Sequence, residues 1–192
     1  MSPRWVAGIA IGALLVGSAL AVATAPDNDG VIAPFPVYGA LGDSVSGRTL
    51  TVTVNSVELT DSLLVKYRDI PAITTGGVWV VVDATTTARL APAGLTHMEL
   101  HIGDISYQVA DVLPAPTPLQ LNYGPGVPQR GSLVFEVPRS ALDAAGAARA
   151  SLVFLPQLDS SLDSVPVVVV DLTGLDVKPS IRIEEIAVVE NE

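Results

Sequence analysis

Residues 76–87 read GGVWVVVDATTT, and the run at 78–82 decides the class of the fold. Five consecutive apolar residues, four of them the β-branched valine, stand between a glycine pair and a polar threonine stretch. That pattern predicts a central strand buried on both faces. Upstream, residues 50–59 read LTVTVNSVEL. Leu50, Val52 and Val54 alternate with polar neighbours, and Val57 and Leu59 resume on the other parity, as in a strand of about ten residues interrupted by a bulge. Shorter candidate strands lie at 98–102, 105–109, 119–123, 132–137, 150–155, 165–172 and 181–189. With turn signals between them and no long segment of 3.6-residue period, the expected class is all-β, a β-sandwich. The one helical candidate is 138–148, PRSALDAAGAA, with Ser140 as a cap and Asp143 in the first turn, one or two turns crossing between sheets.

A different physics governs residues 6–25, VAGIAIGALLVGSALAVATA, twenty residues without a charge. As a helix they would rise roughly 30 Å, enough to cross the hydrocarbon core of a bilayer. Arg4 precedes the segment, and Asp27 and Asp29 follow it. This asymmetry places residues 1–5 in the cytoplasm and the rest of the chain outside. Two fates compete for the segment, an uncleaved signal-anchor and a removed signal peptide that leaves a secreted protein. Small-residue sites at 21–23 and 23–25 favour cleavage, whereas Pro26 obstructs the second, and the apolar run exceeds that of an ordinary signal peptide. The anchor is the expectation. Residues 26–36, PDNDGVIAPFP, then form an extended extracytoplasmic spacer, and the sandwich occupies 37–192.

Composition narrows the function. The 192 residues contain no cysteine, so disulfides, thiolate metal sites and a lipidated cysteine are excluded, and packing alone must hold an exported domain. With Arg4 set aside, 9 basic residues face 20 acidic ones, a formal charge of −11. The basic residues are scattered, only Lys66 and Arg68 lying close together. Nucleic acid is thereby excluded as a partner, since phosphate contacts draw on clustered Lys and Arg.

Three stretches carry a resemblance. Residues 38–57, YGALGDSVSGRTLTVTVNSV, together with 79–85, WVVVDAT, and 121–138, LNYGPGVPQRGSLVFEVP, resemble the telokin-like immunoglobulin-fold domains of exported bacterial proteins. The shared features are a Gly-Asp turn, an alternating valine strand, a V-V-V-D strand, and a Pro-Gly turn leading to a strand that ends Phe-Glu-Val-Pro. The resemblance spans about residues 38–172 and implies an immunoglobulin-like sandwich in the bacterial cell envelope. Most members of that family have no known function, and the shared motifs are strand punctuation without chemistry. The chain departs from the pattern in residues 178–192 and in the turn at 85–89.

Four patterns invite a sharper reading. Leu41-Gly42-Asp43-Ser44 resembles the nucleophile block of GDS-type esterases, with Ser44 as nucleophile. Neither His97 nor His101 has an aspartate three positions before it, and no Gly-x-Asn-Asp occurs, so a base and orienter are missing. His97 and His101 have zinc-helix spacing, but on a strand they stand about 13 Å apart. Asp159 and Asp163 lack the remainder of a calcium loop. Gly124-Pro125-Gly126 lacks the Lys-Ser/Thr of a phosphate loop and reads as a tight turn. No catalytic, cofactor-binding or metal-binding residue is assigned. Residues 181–192, IRIEEIAVVENE, read as a final strand whose acidic residues guard an edge, or alternatively as a segment that adds to a partner's sheet.

These readings converge on a membrane-anchored, non-enzymatic extracytoplasmic domain without cofactor, which binds a protein or a cell-wall component.

Overall fold

The valine run lies in the middle of a sheet, in a computed structural model that describes residues 3–23, 33–65, 70–113, 117–118, 122–157, 160–183 and 186–189. The chain divides into two compact units, Met1–Ala33 and Pro34–Glu192. In the first, α1 runs over Pro3–Ala23, with side chains described from residue 12 to 22. Among the described residues, no helix is long and apolar enough to cross a membrane.

The second unit is a β-sandwich. One sheet has the order β1-β9-β8-β5-β6, formed by β1 (Phe35–Ala40), β9 (Ser164–Val170), β8 (Ala150–Leu155), β5 (His97–Ile102) and β6 (Ile105–Gln108). The other has the order β10-β3-β4-β7-β12, formed by β10 (Val177–Lys178), β3 (Leu50–Val65), β4 (Ile73–Ala88), β7 (Pro128–Val137) and β12 (Ala187–Val188). Two short strands, β2 (Ser44–Ser46) and β11 (Ile181–Ile183), also pair with β3.

Register explains which residues reach the core. Two irregularities interrupt the pairing of β3 with β4, one between Val54 and Ser56 and one between Thr60 and Ser62. Each extra residue reverses the parity of side chains on the strand. Leu50, Val52 and Val54 therefore share the central core with Val57 and Leu59 across the first irregularity. Beyond the second, Leu63 leaves that core and joins Trp79 on the opposite face of the sheet. The expected bulge is thus present, followed by a larger irregularity, Asp61 of β3 against residues 75–78 of β4, that the alternation does not announce.

The central core packs Val52, Leu59, Val80, Val82 and Phe135 of one sheet with Met98, Leu100, Leu152, Phe154 and Val168 of the other. β4 supplies both faces, as its uninterrupted apolar run predicts. Val78, Val80 and Val82 face inward, whereas Trp79 and Val81 join an outer cluster with Leu63, Leu113, Val134 and Ile183. At the start of β4, Gly77 lies so close to β7 that an added Cβ would stand 2.2 Å from the Val137 carbonyl oxygen. A side chain there would force the two strands apart.

Several boundaries differ from expectation. β1 begins at Phe35, inside the expected spacer, and pairs in parallel with β9. Pro36 is accommodated because β1 is the sheet edge, where a missing N–H costs no ladder bond. β2 is a short strand directly after the Gly-Asp turn, absent from the expected strands, and β7 starts at Pro128, four residues early. The helical candidate resolves into α2 (Arg139–Leu142) and a 3-10 turn over Ala145–Arg149. Ser140 lies within α2 and caps nothing; Pro138 holds the N-cap position without a side-chain bond, and Asp143 is at the C-cap. The candidate strand at 119–123 falls mostly outside the described residues, and Tyr123 forms an isolated bridge to Ala93.

Candidate binding groove

The outer face of the β3-β4-β7 sheet carries a cavity of about 450 Å³, lined by three neighbouring strands and by Ile181, Arg182, Ala187 and Val189 of the C-terminal segment. Its floor follows from strand register. Glu58 of β3 stands opposite Val81 of β4, which stands opposite Val134 of β7. On the next rung Ser56, Asp83 and Ser132 are aligned, and beyond it Thr85 faces Arg130. Residues two apart on a strand share a face, so Arg130 reaches diagonally to Asp83. Its Nε donates to Asp83 Oδ1 at 3.1 Å and to Oδ2 at 2.8 Å, while Nη2 donates to Oδ2 at 2.5 Å. The carboxylate raises the Arg130 pKa further above its ordinary value, chiefly through these hydrogen bonds.

A second ion pair closes one side. Lys178 of β10, opposite Thr60, donates from Nζ to Glu58 Oε1 at 2.5 Å. Exposed pairs of this kind contribute about 1 kcal/mol or less to stability, so their effect is to fix the positions of charge along the groove. Arg182, on its rim, has no ion-pair partner among the described residues. Ile181, Ala187 and Val189 add apolar walls. The segment is held at both ends: β11 pairs in parallel with Leu63, Leu64 and Val65 of β3, and β12 pairs antiparallel with Gln129 and Arg130 of β7. Beside the groove the Trp79 indole is 2 % exposed, and its Nε1 has no hydrogen-bond partner among the described residues. An unpaired buried donor of this kind costs about 1–3 kcal/mol.

What the groove can do chemically is bind. It offers a fixed carboxylate–guanidinium pair, a further guanidinium, hydroxyls at Ser56 and Ser132 and an apolar wall, the ingredients for an extended polar chain with apolar side groups. None of these residues stands out when the sequence is read alone. Asp83 and Arg130 are 47 positions apart, and only the β4-β7 pairing brings them together.

The residues singled out from sequence lie elsewhere. Ser44 is exposed on β2 and pairs with Thr53, in one sheet. His97 and His101 are on β5 of the other sheet, on the face away from the core residues Met98, Leu100 and Ile102. The structure does not bring the serine and the histidines together. It does bring the two histidines to one carboxylate, which the spacing argument passed over. Glu99 lies between them, with His101 Nε2 donating to Oε2 at 2.7 Å and His97 Nε2 at 3.4 Å from Oε1. Ser106 Oγ of β6 also donates to Oε2, at 3.3 Å. The hydrogen bond from His101 is the largest influence on Glu99 and lowers its pKa below the ordinary carboxylate range. Asp163 is buried and accepts a hydrogen bond from its neighbour's amide, Ser164 N to Oδ1 at 2.8 Å, while Asp159 lies outside the described residues. The Gly124–Gly126 stretch is a turn, with Gly126 at a φ of 79° and its N–H donating to the Ala88 carbonyl. Lys66, Arg68, Glu184, Glu185, Glu190 and Glu192 are also outside the described residues.

No protein-family model matches this chain, and no curated protein is significantly similar to it. Among similar solved structures is an uncharacterized β-sandwich protein from Clostridium difficile 630, 12% identical, with a TM-score of 0.45 over 70% of this chain and 95% of that one. The yjhA protein from Bacillus subtilis is also 12% identical, with a TM-score of 0.46 over 67% of this chain and 98% of that one. Neither likeness brings an activity or a ligand to this chain.

Proposed function

We propose that this protein is a membrane-anchored extracytoplasmic binding domain of the telokin-like immunoglobulin type, which engages an envelope protein or a cell-wall component through the groove over Asp83 and Arg130. The observation that carries the binding reading is the groove itself, about 450 Å³ of mixed polar and apolar surface with its charges held in place by strand register. The anchor reading is supported by the twenty uncharged residues at 6–25 and by the helical backbone of Pro3–Ala23. Placement of the family-like motifs supports the telokin-like assignment. The Gly-Asp turn falls between β1 and β2 with Gly42 at a φ of 87°, V-V-V-D spans the middle of β4, and Phe-Glu-Val closes β7.

Two measurements test this on the full-length chain in its membrane. Alkaline carbonate should leave the protein in the membrane pellet, and a mature N-terminus starting at Thr24 or Pro26 would instead establish a secreted form. A photo-cross-linking amino acid replacing Val189, on the groove wall, should give one defined adduct, whereas the same group replacing Asp104, in the turn between β5 and β6, should not. Equal patterns at both positions would remove the groove from the function.

A further inference from the structure

One end of the sandwich gathers exposed apolar tips and two arginines, and it is the end at which β1 starts. β1 starts there at Phe35, whose N–H donates to the Asp163 carbonyl at 2.7 Å. The neighbouring Ser164 carbonyl accepts from Arg48 N at 3.1 Å, and the Thr49 carbonyl accepts from Arg89 N at 3.0 Å. These bonds tie the start of β1, the β2-β3 turn, the β4-β5 loop and the β8-β9 loop into one surface.

That surface presents Leu90 at 80 % exposure, Phe35 at 59 % and Leu162 at 58 %. Leu162 is also the only described non-glycine residue with a positive φ, 55°. The left-handed region is unfavourable for a leucine, so the turn gives up stability while displaying an apolar side chain that packs against little of the protein. Arg48 and Arg89 are exposed beside these tips. Arg89 donates from Nη1 to the Gly47 carbonyl at 2.6 Å, and neither arginine has a carboxylate partner among the described residues. The described acid of this end, Asp163, is buried, while Asp159, Glu190 and Glu192 lie outside the described residues. Apolar tips ringed by arginine suit a bilayer interface with anionic headgroups.

We propose that this end of the sandwich rests on the membrane, with Phe35, Leu90 and Leu162 entering the interfacial region and Arg48 and Arg89 meeting anionic lipid headgroups. The inference rests on the anchor reading above. It gives the domain a defined orientation, with the β5-β6 turn pointing away from the bilayer.

The absence of native cysteine makes the test direct. Full-length protein carrying a bimane label on Leu90→Cys, Leu162→Cys, Asp104→Cys or Val16→Cys is reconstituted into vesicles of phosphatidylcholine with about a third phosphatidylglycerol, containing lipids with a nitroxide near the headgroup or, in a parallel preparation for the label at 16, deep in the acyl chain. The labels at 90 and 162 should be quenched at least about twofold more than the label at 104, as expected for groups lying within 5–10 Å of the headgroup boundary. That excess should shrink in phosphatidylcholine alone. Quenching at 90 and 162 equal to that at 104, with the label at 16 quenched by the deep nitroxide, overturns the surface contact and leaves the anchor standing. A label at 16 that the deep nitroxide fails to quench removes the anchor and the orientation together.

Discussion

At the scale of single residues, Glu99 is a group whose chemistry the fold alters through three neighbours. It accepts hydrogen bonds from His101 and Ser106 and lies against His97, and its pKa is lowered, with the His101 bond as the main cause. A carboxyl whose folded pKa lies below its unfolded value makes the native state bind fewer protons, so stability rises with pH across that interval. The contribution is present above the unfolded value of about 4.3 and is lost as pH falls through the lowered folded value. Thermal melts from pH 6 to pH 3 should therefore show a steeper fall for the wild type than for Glu99→Gln. Parallel curves would mean that the cluster adds nothing. The histidine pair was visible in the sequence, and the expected strand holds. The intervening glutamate was visible too, since residues i, i+2 and i+4 of a strand share one face. Metal-ligand spacing of the two histidines carries no signal for it.

At the scale of elements, the C-terminal segment shows how a final stretch becomes part of the fold. Of the two sequence readings, the observed pairing is intramolecular, with β11 on β3 and β12 on β7. Ile183 is the residue that binds it, 4 % exposed in the cluster with Trp79, Val81, Leu113 and Val134. Ile183→Ala removes buried methyl and methylene groups and should cost about 2–4 kcal/mol in a denaturant titration. Hydrogen exchange at residues 181–183 and 187–188 should accelerate together, because one anchor serves both short strands. Unchanged exchange in the variant would show that the strand pairs hold the segment without the side chain. Alternation in 181–189 announced strand character here, but not the split into two strands on opposite sides of β4. That split depends on an apolar outer face on the sheet, produced by Trp79 and Val81 within a run that reads simply as buried.

At the scale of the whole molecule, a cysteine-free sandwich depends on one continuous core between its sheets. Val80 and Phe135 of one sheet share that core with Leu100 and Phe154 of the other, so the inner face of each sheet is covered only by the other sheet. Unfolding should be a single transition in which Trp79 fluorescence, isolated by Trp5→Phe, coincides with loss of the infrared β-sheet band. Leu100→Ala should move both by the same amount, equivalent to about 2–5 kcal/mol. Separate midpoints would mean that the sheets come apart independently.

The sequence by itself determined the β class, the core strand at 78–82, the bulge in 50–59, the cysteine-free reliance on packing and the apolar segment at 6–25, because each is written in local periodicity or composition. Tertiary structure alone decided the parallel pairing of β1 with β9, the second bulge that turns Leu63 outward, the course of the tail and the meeting of Asp83 with Arg130. Those features depend on which strands become neighbours and in what register. Alternation with period two constrains the face of each side chain but carries no label for the partner strand, so a groove assembled from β3, β4, β7 and residues 181–189 has no contiguous signature in the chain.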